Sequence, residues 1–170
     1  MYVQIKNSTT FVPTNFVIEN MKIEDEIKST IPMDIAKKVV LNLSFTRNVL
    51  NDSFQELLKP FDLSGEQYNV LRIIRGQKGK PVNMCDIQER MIAKNSNTTR
   101  LIDKLLLKEM VTRNECPENR RKIEILITPK GLDILTKLDP IVIEYENHFA
   151  NKLTLDELEQ LNNLLEKYRN

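Results

Sequence analysis

The chain is poor in the residue types that mark several specialised protein classes. Its 170 residues include no tryptophan, four glycines, two cysteines and one histidine. So few glycines argue against glycine-loop nucleotide folds and against repeated β-hairpin architectures. Two cysteines are too few for a disulfide scaffold, which suits a reducing cytoplasm. A single histidine with no Cys or His cluster nearby argues against catalytic triads and closed Cys/His metal sites, so we expect no enzyme, no cofactor and no bound metal.

Long apolar runs are also missing. No stretch approaches the roughly 20 residues that a bilayer span needs, and the first 20 residues lack the basic start, apolar stretch and small-residue cleavage site of a secretory signal. The 41% hydrophobic and 29% charged residues are enough for one domain of ordinary size, or for two small ones that share an interface. We therefore expect a cytoplasmic, helix-rich protein with no membrane segment.

The charge is unevenly divided along the chain. Residues 61–131 hold 14 Lys and Arg against 9 Asp and Glu, whereas the remainder holds 11 against 15. A basic middle between acidic ends predicts a region that meets an anion such as DNA. A solvated basic face with no partner is an alternative that charge alone leaves open.

Apolar spacing and capping residues predict six helices. A long amphipathic helix is expected from Pro32 to Pro60, and a capping box predicts a second helix over Gly65–Arg75. Two short helices follow, separated by about four residues, which is the spacing of a helix-turn-helix. A fifth helix should be kinked or broken at Pro140. The predicted helices begin near Pro32, Gly65, Asn83, residues 94–97, Thr128 and Thr154.

Two strands are predicted directly after the helix-turn-helix. They cover Met110–Glu115 and Lys122–Ile127, and the turn CPENRR joins them. The predicted fold class is mainly α with a small β-hairpin wing, a winged helix-turn-helix flanked by long helices. The predicted regions are an N-terminal extension (1–30), the winged helix-turn-helix (61–131) and a helical dimerisation region (31–60 and 132–170).

The outer helices carry apolar stripes with no sheet of their own to cover them. A second copy of the chain is their natural partner, so we expect a homodimer. The residues that would otherwise stay exposed are Val39, Leu43, Leu50, Leu158, Leu161 and Leu165.

Four segments in one order resemble the MarR family of bacterial transcription regulators. They are LSGEQYNVLRII, PVNMCDIQERM, SNTTRLIDKLLLKEMVTR and CPENRRKIEILITPKG. In the family, the recognition helix is followed by Lys-Gly-Leu-Val-x-Arg, the wing reads Pro-x-Asp-Arg-Arg and the next helix begins Leu-Thr-x-x-Gly. The resemblance covers roughly Asp34 to Lys167. It implies a homodimer that binds double-stranded DNA at a pseudo-palindromic operator and acts as a ligand-responsive repressor.

The resemblance and the physics of the fold together place candidate DNA contacts. The start of the fourth helix would enter the major groove, Lys104 would meet the backbone, and the hairpin tip would contact the minor groove or a phosphate. Ser96 and Asn97 could instead only cap the helix. The candidates are Ser96, Asn97, Thr98, Thr99, Arg100, Lys104, Arg120 and Arg121.

Two positions depart from the family pattern. Glu109 stands where glycine is usual, so a left-handed backbone there would be strained by about 1 kcal/mol. Asn119 replaces the aspartate of the wing, which removes a charge that would orient an arginine. The alternative function is therefore a winged-helix interaction module that no longer binds an operator.

The resemblance further implies a crevice for a phenolic or other amphipathic effector. Its candidate lining is Phe45, Arg47, Phe54 and Tyr68, side chains that would equally suit a core. Cys85 is interpreted as apolar filler and Cys116 as incidentally exposed, with redox sensing as the alternative. His148 is interpreted as a surface residue, because a closed metal site needs three or four ligands.

Overall fold

The structure, a computed structural model, describes residues 21–116 and 119–170, and the side chains of that part except residues 116–122. The chain forms two compact units that divide between Phe54 and Gln55. In chain order the elements are α1 (Ile23–Glu26), α2 (Ile35–Leu58), a 3₁₀ turn (Lys59–Phe61), α3 (Gly65–Arg75), α4 (Met84–Arg90), α5 (Thr98–Leu107), β1 (Val111–Cys116), β2 (Asn119–Ile127), α6 (Pro129–Ala150) and α7 (Leu155–Arg169).

In the N-terminal unit, α2 begins later than the sequence predicts. The Asp34 carboxylate accepts a hydrogen bond from the Lys37 amide at 2.8 Å, which satisfies one of the free donors at the start of a helix. The prediction that Pro32 lies in the first turn is therefore wrong, because a capping aspartate downstream of the proline fixes the start. Glu24 forms an ion pair with Lys38, and this pair joins α1 to α2.

The core of the C-terminal unit is built by α3, α4, α5, the hairpin and α6. α3 has the predicted bounds, since the Ser64 hydroxyl accepts from the Gln67 amide at 3.2 Å and the Gln67 side chain accepts from the Ser64 amide at 3.0 Å. Large apolar side chains from all of these elements are buried together, and their burial is the main stabilising contribution in this unit. Those without measurable exposure include Val70, Leu71, Ile87, Ile102, Leu105, Ile125, Leu135 and Leu138.

The hairpin is antiparallel, with Val111 opposite Ile127, and its register shifts between Glu115 and Cys116. A bridge from the segment before α4 adds to it: Val82 and Ile125 exchange two backbone hydrogen bonds of 3.0 and 2.9 Å. β2 begins at Asn119 rather than at Lys122, so the predicted turn CPENRR is too long. The hydrogen bonds between strands are made by backbone groups, so β2 extends beyond the alternating isoleucines from which it was predicted.

α6 runs through Pro140 without interruption, so a break is wrong, and the alternative of a kink stays a prediction. Proline removes one backbone donor from a helix, at a cost of about 3 kcal/mol. The buried side chains of Leu138 and Val142 lie on either side of it and hold both halves of α6 to the unit. Tertiary packing thus outweighs the local preference.

The junction between α5 and β1 keeps the left-handed backbone that the sequence departure put in question. Glu109 has φ 58°, so the expected strain of about 1 kcal/mol applies. Its carbonyl accepts from the Thr128 hydroxyl at 2.8 Å, and its carboxylate pairs with Lys130 at 3.0 Å. Gly131 is required nearby, because a Cβ there would lie 2.4 Å from the Met110 carbonyl oxygen.

α7 begins with the predicted capping box of Thr154 and Glu157. None of its residues is buried in the described chain. Within the described residues, no helix has both the length and the apolar character that crossing a membrane demands.

Candidate nucleic-acid interface

α5 separates its buried and exposed residues cleanly onto two faces. Thr98, Ile102 and Leu105 are buried at spacings of four and three, which is one face of a helix. Thr99, Arg100 and Lys104 are exposed. Because residues four apart are neighbours on a helix surface, Arg100 and Lys104 lie side by side on the solvent face. The helix is thus held by one face and presents cations on the other.

The start of α5 brings four of the predicted site residues together. Ser96, Asn97, Arg100 and Lys104 line one shallow depression, with Glu66 of α3 at its edge. Two of these side chains also bond the local backbone. The Asn97 side chain accepts from the Arg100 amide at 3.0 Å, and the Ser96 hydroxyl donates to the Ala93 carbonyl at 2.7 Å. Asn97 therefore caps α5, while contact of either residue with bases stays a prediction.

Thr98 differs from the other candidates. Its side chain is only 4% exposed, and its hydroxyl donates to the Gln88 side-chain oxygen. The prediction that Thr98 faces DNA is corrected by this placement. The physical reason is the helical period, because Thr98 shares its face with Ile102 and Leu105.

The wing candidates Arg120 and Arg121 have their backbone in β2, and their side chains lie outside the described part. A further basic residue was missed by the sequence analysis. Arg113 on β1 is exposed, and its guanidinium lies 3.4 Å from the Asp103 carboxylate of α5. The available signal was its position at the end of the segment KEMVTR, where the family motif has arginine.

The candidate effector residues are divided between the two units. Phe45, Arg47 and Phe54 lie on α2 in the N-terminal unit, where Arg47 is exposed and both phenylalanines are half-buried. Tyr68 lies on α3 in the other unit and is 5% exposed. Burial raises the pKa of its phenol, and the Arg72 guanidinium lies 5.8 Å from the ring centre. A shared effector crevice stays a prediction.

The described side chains of Cys85 and His148 are both exposed. Cys85 is exposed, so its interpretation as apolar filler is wrong. The side chain of Cys116 lies outside the described part. His148 is exposed and packs edge-on against Phe149 at 5.1 Å between ring centres. Among the described residues, no three His, Cys, Asp or Glu side chains are grouped to hold a metal ion.

A two-helix motif with a cationic second helix, followed at once by an antiparallel hairpin, defines a winged helix-turn-helix of the kind found in transcription regulators. The comparisons agree. A family model described as "MarR family" matches residues 63–123. The HTH-type transcriptional regulator SarZ of Staphylococcus saprophyticus is 32% identical over 117 residues, 68% of this chain and 79% of SarZ. The chain belongs to the MarR family, which is a family of regulators and not of enzymes.

Solved structures give the same fold. The MarR transcription factor from Planctomyces limnophilus is 31% identical, with a TM-score of 0.62 over 80% of this chain and 98% of that one. The Staphylococcus aureus MepR–DNA complex is 19% identical, with a TM-score of 0.69 over 81% and 97% of the two chains. At that identity the second comparison concerns the fold alone.

Proposed function

We propose that the chain is a homodimeric repressor that binds a pseudo-palindromic DNA operator, with α5 in the major groove and the wing at the minor groove. The observation that carries this proposal is the division of α5 into a buried apolar face and an exposed face with Arg100 and Lys104. A recognition helix needs both, because it must be rigidly seated and must also offer hydrogen-bond donors to DNA.

The exposed residues of α5 suit different parts of a duplex. Arg100 lies in the first turn, where a guanidinium can donate two hydrogen bonds to a guanine edge. Lys104 lies one turn later and suits a phosphate, as do Arg120 and Arg121 from the wing. The short side chains of Ser96, Asn97 and Thr99 would complete the contact. The fold similarity to MepR, whose solved structure is a complex with DNA, supports this arrangement.

The exposed apolar side chains of α7 support dimerisation. Leu161 is 44% exposed and Leu165 is 38% exposed one turn further on the same face, although their helix is capped and regular. Such a row is unfavourable in water unless another surface covers it. A second copy supplies that surface symmetrically and sets two recognition helices one turn of DNA apart, about 34–36 Å.

Effector response is the finer part of the proposal and follows from family membership. An amphipathic or phenolic anion that binds the protein would change the separation of the two recognition helices. Because the half-sites have a fixed spacing, a modest change is enough to lose register.

The alternative is an interaction module without operator binding, for which Glu109 and Asn119 are the departures. Glu109 favours the regulator, because it keeps the left-handed backbone of the usual glycine and its carboxylate gains an ion pair with Lys130. The helix-to-wing junction is thus retained despite the substitution.

A salt titration of DNA binding tests the proposal. Arg100→Ala should cost roughly 1–3 kcal/mol on specific DNA and relax the preference at one base pair of each half-site. Arg121→Ala should weaken binding to all duplexes more evenly and lower the salt slope by about one unit per subunit. Arg169→Ala at the end of α7 is the matched control and should change neither. A wild type with no salt-dependent affinity for any duplex would leave the interaction module as the better account.

A further inference from the structure

One side chain joins three consecutive segments of the helix-turn-helix. Gln88 lies in the last turn of α4, and its amide nitrogen donates to the Lys94 carbonyl at 2.6 Å. Its amide oxygen accepts from the hydroxyl of Thr98, the first residue of α5. A single planar group therefore connects α4, the turn over residues 91–97 and the start of α5.

The two partners of Gln88, Thr98 and the turn that contains Lys94, are themselves held in place. Thr98 is 4% exposed, so its hydroxyl needs a protein partner and is oriented by the one it has. Within the turn, Met91 is 1% exposed, and the Lys94 ammonium donates to the Glu89 carbonyl at the end of α4. The turn is thus anchored by a core side chain at one end and by Lys94 further along.

The hydrogen bonds of Gln88 matter for DNA recognition because Thr98 lies close to Arg100. Arg100 follows two residues later in the same helical turn, with its amide bonded to the Asn97 cap. A sliding or rotation of the start of α5 would therefore move Arg100 directly. Hydrogen bonds to base edges depend steeply on distance and angle, whereas a flexible lysine follows a phosphate over a wider range.

We propose that Gln88 is a positioning residue for DNA recognition, which locks the start of α5 through Lys94 and Thr98 and so sets base discrimination. The inference rests on the proposed function. Gln88 acts through α5 and does not itself contact DNA. Its loss should lower the preference for specific DNA and leave the affinity for unspecific DNA unchanged.

The probe is the duplex that the full-length wild type enriches from a random library of about 25 base pairs, which spans two half-sites one turn apart. A scrambled version of that duplex reports unspecific binding. Thr98→Val should lower the ratio of the two affinities about tenfold, the effect of losing one hydrogen bond in each subunit. Gln88→Ala also loses the bond to Lys94 and should lower the ratio at least as much. The salt slope on scrambled DNA should not change.

Conservative variants separate the effect of the hydrogen bonds from the effect of side-chain size. Thr98→Ser retains the hydroxyl and should keep the discrimination of the wild type, whereas Thr98→Val retains the shape and should lose it. Gln88→Glu can still accept from Thr98 but cannot donate to Lys94, so it should lose part of the discrimination. Gln77→Ala is the matched control, because the Gln77 amide donates to the Ile73 carbonyl on α3 at 3.2 Å, away from this turn. It should behave as wild type.

The double variant Gln88→Ala/Thr98→Val should lose no more than Gln88→Ala alone, since Gln88→Ala already removes the hydrogen bond that Thr98→Val removes. Thermal melting identifies which variants are folded at the assay temperature, and the comparison uses those. Unchanged discrimination in folded Gln88→Ala and Thr98→Val, or an equal loss on both duplexes, would overturn the positioning role. A wild type that enriches no duplex would instead refute the proposed function.

Discussion

α5 and α7 are both amphipathic helices of the C-terminal unit, but they differ in the burial of their apolar residues. α5 buries Ile102 and Leu105 completely and exposes cations. α7 buries none of its residues and exposes Leu161 and Leu164 by 44% and 55%. The first helix is stabilised by contacts within its own chain, whereas the second has apolar side chains that the described residues leave exposed. The first face is a tertiary interface, and the second is the surface that we propose as the dimer contact.

This contrast predicts different responses to mutation. A change in the buried face of α5 should alter the stability of the chain at any protein concentration. A change in the exposed face of α7 should alter assembly, and its effect on stability should depend on concentration.

The largest effect is expected for α7. Leu161→Asp with Leu165→Asp places two charges one turn apart in the proposed dimer contact, so the dimer should dissociate. Light scattering at micromolar concentration should show the mass fall from twice 19.9 kDa to 19.9 kDa. Asn163→Asp on the opposite side of the same helix is the control and should stay dimeric. A wild type that is already a stable monomer would contradict this prediction.

The next effect is expected for α5. Ile102→Ala removes buried methylene groups and should lower the free energy of unfolding by about 2–5 kcal/mol. Urea denaturation at two protein concentrations measures it, and the loss should be the same at both. Leu107→Ala on the same helix is the matched control, because that leucine is 85% exposed. A loss of similar size in both variants would remove the distinction between the two faces.

A smaller effect is expected where α3 meets α6. Arg75 donates two hydrogen bonds of 2.7 and 2.8 Å to Asp139, and they lower the pKa of that carboxyl below 3.8. A lowered pKa stabilises the fold above pH 3.8, and the contribution is lost as the pH falls through the lowered value. Because the pair is partly exposed, Asp139→Asn should cost at most about 1 kcal/mol at neutral pH.

Unfolding of wild type and Asp139→Asn at neutral pH and below pH 3.8 checks this sign, and the difference between them should shrink on acidification. Asp133→Asn alters an exposed pair with Lys137 on the same helix and serves as control. A difference that grows in acid would show that the ion pair does not stabilise the contact.

The smallest effect is expected for the cysteines. Replacing Cys85 and Cys116 with serine should leave DNA affinity unchanged, both without peroxide and with it. Cys85 is exposed at the start of α4 and away from the buried face of α5. Release of DNA by oxidised wild type, but not by the double variant, would assign a redox role to these thiols.

The sequence was informative where a local signal decides the structure. The capping boxes at Ser64 and Thr154 and the cap at Asn83 gave correct helix starts, because these side chains bond backbone groups only three residues away. The family motif marks Glu109 as the position where a left-handed backbone is in question, and the structure answers it with φ 58°. The cationic residues of α5 were found for the same reason.

Features that depend on distant packing were not predictable in the same way. The continuity of α6 at Pro140 depends on buried neighbours, and the start of β2 depends on pairing with β1. The burial of Thr98 was predictable in principle, since its spacing to Ile102 and Leu105 marks the buried face of α5. The role of Gln88 was not, because its partners lie six and ten residues along the chain and are brought close only by the turn.

The bridge between Val82 and Ile125 has a consequence for the order of folding. Its two hydrogen bonds join the wing to a residue that precedes α4 and α5 in the chain, so they cannot form until those helices have brought the ends together. We therefore expect the wing to complete its sheet late. Once it has formed, the amides of Val82 and Ile125 should exchange with solvent together, in one opening event that also releases the base of the wing.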